Sequence, residues 1–391
     1  MYKKILVPLD NSKYSNAAIT LSLKVAGAFG ATVTGSHVYA AELHDDRFKQ
    51  MEPGLPPKYQ EEKELERQRD IHDDLITRGL QIISDSYAEY FQSMATDAGI
   101  VNESKSLEGK NYLELVKDIE ANDYDLVVMG VLGLGAVKKS QIGSVCERVM
   151  RRIDRDLIIV KNEERTGKYL VAIDGSPNSF AGLMSAIALA KGDNIEVEAV
   201  AAFDPDFHYT AFKSIEGVLS EEAGKVFKFK EQEKLHEEII DKGLAKIYQD
   251  HLDTAAEIAK EKGVEIKTTL LSGKPFEEIL KYVDKDPPAL LVMGRVGFHA
   301  APGLDIGSNT ENCVRLATCN IMVVSGEVNP PEKEKEVTEG LPWTDEAEAL
   351  LQRVPKMAHG MVRKFVEDFA SEKGSTEVTA DIMREARSKM M

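Results

Sequence analysis

Residues 164 positions apart match along most of this 391-residue chain. Asp10-Asn11-Ser12 corresponds to Asp174-Gly175-Ser176, Met129-Gly130 to Met293-Gly294, and Gly143-Ser144 to Gly307-Ser308. The stretch from His72 to Leu80 lies against His236 to Leu244, Gly99 against Gly263, and Gly109-Lys110 against Gly273-Lys274, with no residue inserted between anchors. A constant offset means that one supersecondary plan is built twice. It sets the domain boundaries at residues 1–162 and 163–328. A proline-broken, charged stretch at 329–340 reads as a linker, and a smaller domain follows at 341–391.

Each repeat alternates strand and helix signals. Lys4 to Leu9, Asp125 to Met129 and Leu157 to Val160 are short, nearly continuous apolar runs, as expected of strands covered on both faces. Tyr169 to Ile173, Ala289 to Met293 and Ile321 to Val324 repeat them. Ser12 stands at an N-cap position ahead of Ala17, Ala18, Leu21 and Val25 at helical spacing. Ala31 to Val38 reads as a second strand, and Pro57 to Ala98 carries a long helical periodicity. The expected fold is therefore α/β, two tandem parallel sheets wound on both faces. Beyond the linker, Ala347, Leu350, Leu351 and Val354, then Val362, Phe365, Val366 and Phe369, predict a helical hairpin broken near Pro355. Gly374 is placed as its C-cap, and Thr379 as the cap of a last helix.

Composition excludes several classes. The formal net charge of −17 opposes a phosphate backbone, so no nucleic acid is expected as partner. No apolar run approaches a membrane span, and the first residues enter a strand too soon for a signal peptide. Cys146, Cys313 and Cys319 form no disulfide framework and read as small core residues. The expectation is a cytoplasmic protein.

A loop pattern also occurs twice. Gly130, two residues, Gly133, nine residues and Gly143-Ser144 follow one buried strand, and Gly294, Gly297 and Gly307-Ser308 follow another at the same spacing. Glycines after a strand admit close approach of a ligand, and Gly-Ser opening a helix offers unpaired N–H groups to an anion. At these residues the chain resembles the universal stress protein family, over both repeats. The resemblance implies five-stranded parallel sheets of the adenine-nucleotide α-hydrolase-like type. It also implies ATP or another adenine nucleotide as ligand, with or without Mg. Asp10 would contact the adenosine portion, Pro8 and Val38 would line the adenine pocket, Gly130, Gly133, Gly143 and Ser144 would hold the phosphates, and Met129 is counted with them as a site residue. Ala172, Asp174, Ala202, Met293, Gly294, Gly297, Gly307 and Ser308 are their counterparts. The family's habit of pairing such domains implies intramolecular pairing of the repeats, with a homodimer as an open alternative.

The sequence departs from that family's pattern where basic residues often flank the second glycine. Leu132 and Leu134 stand there in one repeat, Val296 and Phe298 in the other, with Lys138, Lys139 and Arg295 as compensating cations. Pro8 and the two lysines favour the first site, whereas Ala172 and Asp305 count against the second. No P-loop or nucleophile elbow is present, so dedicated catalysis is not expected, beyond slow hydrolysis or self-modification at Ser144 or Ser308. His44, His72, His208 and His236 form two pairs at the repeat offset. They read either as metal or anion ligands or as surface residues inherited with the duplication.

The C-terminal segment from Trp343 is similar to the C-terminal domain of the light-independent protochlorophyllide reductase B subunit, with His359 where that module usually has arginine. Two functions follow. One is a nucleotide-binding regulatory protein of the stress response. The other is an interaction scaffold with vestigial loops that engages an unknown protein partner through the C-terminal module.

Overall fold

A computed structural model describes residues 1–163, 167–205, 241–331, 341–352, 354 and 359–390. The chain divides into two compact units, Met1–Pro330 and Pro331–Met391. The first repeat runs β1 (Lys4–Pro8), α1 (Lys13–Phe29), β2 (Thr32–Tyr39), α2 (Ala41–Met51), α3 (Glu62–Asp73), α4 (Leu80–Asp97), β3 (Asn102–Glu108), α5 (Asn111–Ala121), β4 (Leu126–Gly130), α6 (Ser144–Arg152) and β5 (Asp156–Val160). The second runs β6 (Tyr169–Ala172), α7 (Pro177–Asp193), β7 (Val197–Phe203), α8 (Asp241–Glu261), β8 (Lys267–Ser272), α9 (Pro275–Lys285), β9 (Leu290–Gly294), α10 (Ser308–Leu316) and β10 (Ile321–Val324).

The strands form one ten-stranded sheet in the order β3-β2-β1-β4-β5-β10-β9-β6-β7-β8. Pairing within each repeat is parallel. At the seam β5 and β10 run antiparallel, with Ile159 opposite Ile321, Ile158 opposite Met322 and Leu157 opposite Val323. The two expected sheets are thus two five-stranded halves of one mixed sheet. The physical reason lies in the edges. Both strands are wholly apolar at these positions and fully buried, so pairing them removes two edges that water would otherwise have to satisfy.

Alternating side chains divide the core into two layers, as period-2 geometry requires. Ile5, Val7, Val171 and Met322 pack with α1, α4, α7 and α8. Leu6, Val127, Leu291 and Val323 pack with α5, α6, α9 and α10. Ser12 and Ser176 cap α1 and α7, each hydroxyl accepting the N–H three residues on, from Ser15 and Ser179. The residue before each cap is left-handed, Asn11 at φ 57° and Gly175 at φ 84°. Asparagine and glycine are the types that tolerate that conformation.

Among the described residues the C-terminal unit holds three helices, α11 (Asp345–Leu351), α12 (His359–Glu372) and α13 (Ala380–Met390), where the sequence suggests a hairpin with a last helix. Ala347, Leu351, Val366, Phe369, Val378 and Met383 form its core. The third helix closes that core with Met383 and Ala386, so it is an integral part of the unit. The Ser375 N–H returns to Ala370 O around left-handed Gly374, and Ile382 N–H donates to Thr379 Oγ1. Pro355 and most of the linker lie outside the described residues. Among the described residues no helix is long and apolar enough to cross a membrane.

Candidate functional site

Within each half the strand order reverses between the first strand and the fourth, β1 and β4 or β6 and β9. Connections leave in opposite directions there, opening a crevice at the carboxyl ends of the strands. A cleft of about 710 Å³ occupies that place in the first repeat, lined by Pro8, Asp10, Val38, Met129, Gly130, Gly133, Gly143 and Ser144 among others. In the second repeat Ala172, Asp174, Ala202, Met293, Gly294, Gly297, Gly307 and Ser308 line the equivalent cleft. All sixteen residues singled out in the sequence are therefore brought together, eight to each cleft.

The glycines have a reason beyond ligand approach. A Cβ at Gly130 would lie 2.8 Å from the Tyr14 backbone, and one at Gly294 would lie 3.0 Å from Ser179 N. These two glycines let α1 and α7 start directly against the loop. A Cβ at Gly133 would lie 2.5 Å from Asp10 Oδ2, and one at Gly297 2.7 Å from Asp174 Oδ2. Each second glycine thus makes room for the carboxylate at the end of the first strand.

Those carboxylates are fixed by backbone donors. Asp10 Oδ1 accepts the Ser12 N–H at 2.9 Å, and Asp174 Oδ1 accepts the Ser176 N–H at 3.0 Å. Asp174 is held further: the Ser176 hydroxyl donates to Oδ1 at 2.6 Å and the Phe298 N–H to Oδ2 at 3.1 Å. Asp10 Oδ2 accepts no hydrogen bond from the described residues. The opposite wall is a helix N-terminus in each case. α6 and α10 start at Ser144 and Ser308 after Gly143 and Gly307, and neither has a side-chain cap. Their first N–H groups are left for an anion.

The expected compensating cations are elsewhere. Lys138 and Lys139 are exposed and outside the cleft lining. Arg295 is 9% exposed and points to the seam, its guanidinium donating to Ser325 Oγ (Nε, 2.7 Å) and to Met150 O (Nη1, 2.7 Å). Burial pulls its pKa below the usual arginine value. Asp305 is likewise turned away from the cleft, 2.8 Å from Arg151 of the first repeat, so it does not oppose a phosphate there.

His44 lines the first cleft, but His72 stacks on Phe48 at 4.1 Å. Among the described residues no group of three or more His, Cys, Asp or Glu side chains could hold a metal. His208 and His236 lie outside the described residues. The cysteines are buried, and burial pushes Cys146 and Cys313 up to about 12, which removes them as nucleophiles. His37, stacked edge-on against Tyr87 at 5.0 Å, lines the first cleft, and Tyr248 the second. Sequence reasoning misses all three. The repeat offers no signal for them, because positions 37, 87 and 248 align with Ala201, His251 and Ser84.

A doubly wound α/β unit, used twice and carrying an anion-receptive helix and an acidic strand end at each switch point, defines the class. The chain belongs to the universal stress protein family, whose model matches residues 1–161 and again 166–325. It is 30% identical over 157 residues to universal stress protein YxiE of Bacillus subtilis, spanning 40% of this chain and 97% of that protein. A universal stress protein from Archaeoglobus fulgidus shares the fold at TM-score 0.52 and 16% identity, over 82% of this chain and 97% of the other. A putative universal stress protein from Pseudomonas aeruginosa gives TM-score 0.51 at 12% identity, over 83% and 93%. Residues 343–387 match a second family model, Proto-chlorophyllide reductase 57 kD subunit. A 52-residue stretch of this chain is 48% identical to the B subunit of the light-independent protochlorophyllide reductase from Chlorobium limicola. That stretch is 13% of this chain and spans only 10% of the reductase polypeptide.

Proposed function

We propose that this chain is an adenine-nucleotide-binding regulatory protein that acts by binding rather than turnover. The observation that carries the reading is the repeated juxtaposition of an uncapped helix start, Ser144 or Ser308, with a strand-end carboxylate, Asp10 or Asp174, across a cleft at the switch point. The helix N-terminus suits phosphate oxygens. The carboxylate suits ribose hydroxyls, which donate to it, and Val38 or Ala202 with Met129 or Met293 supplies an apolar bed for the base. The residues present fit a nucleotide. A divalent cation would be carried by the phosphates, since the described residues gather no acidic cluster for it. Thermal unfolding with ATP, ADP and AMP tests the reading. Ligand at 100 times its dissociation constant should add about 2.7 kcal/mol, and no stabilisation by any of the three overturns it.

A second reading has its own support. The loop cations are absent from both clefts, and the separate C-terminal unit has its own core. On that reading the chain is a scaffold whose partner docks on residues 341–391. Truncation after residue 331 separates the two: retained nucleotide binding favours the first, and loss of all partners with nucleotide irrelevant favours the second.

A further inference from the structure

α6 and α10, whose N-termini face the clefts, are each nine residues long. Their far ends meet cations from the opposite repeat. Arg295, inside the glycine loop of the second repeat, donates to Met150 O in the last turn of α6 at 2.7 Å. Lys161, just after β5 of the first repeat, donates from Nζ to Val314 O and Ala317 O at the end of α10, both at 2.6 Å. Met150 and Val314 are the same repeat position; Arg295 and Lys161 are not.

The mismatch is informative. The repeat counterpart of Lys161 is Ser325, too short to reach α6. Arg295 rests its Nε on Ser325 Oγ at 2.7 Å and spans the remaining gap. The counterpart of Arg295 is Val131, buried and apolar, where Lys161 already supplies the charge. The two halves have diverged at both positions, yet each loop helix keeps a cation from the opposite repeat at its carboxyl end. A cation there offsets the negative pole of the helix and fixes its last turn. What remains uncompensated is the positive pole at the cleft.

We propose that each cleft is completed in trans, Arg295 of the second repeat positioning the anion-binding helix of the first cleft and Lys161 of the first repeat positioning that of the second. The inference rests on the reading of both clefts as nucleotide sites. It also makes the clefts differ in their response to pH. Burial lowers Lys161 to about 8. The groups facing it are the Cys146, Cys313 and Cys319 thiols, which burial pushes up to about 12, 12 and 11, so they stay neutral while Lys161 titrates. Arg295 stays charged throughout.

Calorimetry with ATP on the full chain, one cleft silenced at a time by Gly143→Asp or Gly307→Asp, tests this. Arg295→Met should weaken the first cleft about tenfold, with Arg295→Lys restoring most of the loss and Lys161→Met leaving that cleft unchanged. The second cleft should respond to Lys161→Met. Its affinity should fall several-fold between pH 7.5 and 9.5, about the change expected on removing a helix-end cation, and Lys161→Arg should abolish that fall. Equal weakening of both clefts by either variant, or no effect of Arg295→Met on the first, overturns the proposal. Hydrogen exchange judges it apart from nucleotide. Arg295→Met should deprotect peptides covering 144–152 and spare those covering 308–316. Unchanged protection of 144–152 overturns it even where ATP binds neither cleft.

Discussion

Asp156 and Asn320 occupy the same repeat position and make the same contact in opposite directions across the seam. Asp156 Oδ1 accepts the Ser325 N–H at 2.9 Å, and Asn320 Oδ1 accepts the Lys161 N–H at 2.7 Å. Each caps the opposing seam strand where the antiparallel ladder ends. The helices beside it are tied in the same reciprocal way, Arg151 to Glu311 and Arg315 to Glu147, both at 2.5 Å.

Asp156 should be replaceable by the residue its counterpart already uses. Burial raises its pKa above the ordinary carboxylate value, despite hydrogen bonds from Tyr2 and the Ser325 N–H. A raised folded pKa contributes stability at low pH that is lost as pH rises through it. Asp156→Asn keeps the acceptor for Ser325 and removes the buried charge. Urea unfolding should place it within about 1 kcal/mol of wild type at pH 7, with a flatter pH profile, whereas Asp156→Ala should cost about 1–3 kcal/mol.

Glu198 on β7 is the opposite case. It is 2% exposed, and burial alone would raise its pKa. Hydrogen bonds from Lys168, Tyr282, Lys267 and Thr269 outweigh that and hold it at about 2. Its contribution is present above the usual glutamate value and lost as pH falls toward 2. Glu198→Gln leaves Lys168 with Asp286 as its remaining carboxylate partner, at 2.7 Å, and should cost about 1–2 kcal/mol at neutral pH. Denaturation at pH 7 and pH 3 should show the deficit shrinking in acid.

Gly133→Ala offers a selective probe of the first cleft. The new methyl meets only the tip of the Asp10 side chain, at 2.5 Å, and the backbone there is not left-handed. Asp10 must therefore rotate away at small cost to the fold. Stability should stay within about 1 kcal/mol, while nucleotide affinity in the first cleft drops at least tenfold, about the value of one charge-assisted hydrogen bond. Calorimetry beside thermal unfolding reads both. A stable variant that binds ATP normally would remove Asp10 from the site.

The buried strands β1, β4, β5, β9 and β10 are legible as apolar runs, and the clefts as glycine spacings seen twice. β3 is not. It reads Asn102-Glu103-Ser104-Lys105-Ser106-Leu107-Glu108, an edge strand half open to water and lacking an apolar run. The glycine positions hold, but spacing supplies only part of their reason, because a sequence does not show α1 pressing on Gly130. Arg295 escapes the sequence for a related cause. A cation between two loop glycines can face the cleft or the neighbouring repeat, and only the seam decides which. Lys161 carries no signal at all, since nothing in a strand-end lysine announces a helix terminus 153 residues away.

The two clefts should differ in affinity, the first binding an adenine nucleotide more tightly. Two of the grounds that the sequence offers do not hold, because Lys138 and Lys139 stand outside the first cleft and Asp305 is paired with Arg151. The carboxylates supply a better one. Asp10 keeps Oδ2 open to the cleft, whereas Asp174 has Oδ2 engaged by the Phe298 N–H and Oδ1 by the Ser176 N–H and hydroxyl. A ribose hydroxyl entering the second cleft must compete with protein donors already in place; in the first it meets a free acceptor. Pro8 adds rigidity to the strand end before Asp10, where the second repeat has Ala172. Expressing the repeats apart would expose the β5 and β10 edges, so the comparison belongs in the full chain. With Gly307→Asp silencing one cleft and Gly143→Asp the other, calorimetry should find ATP bound about tenfold more tightly by the first, the value of roughly one net hydrogen bond. Tighter binding by the second would mean that the Phe298 N–H moves from Asp174 to the ligand, and would reverse the ranking.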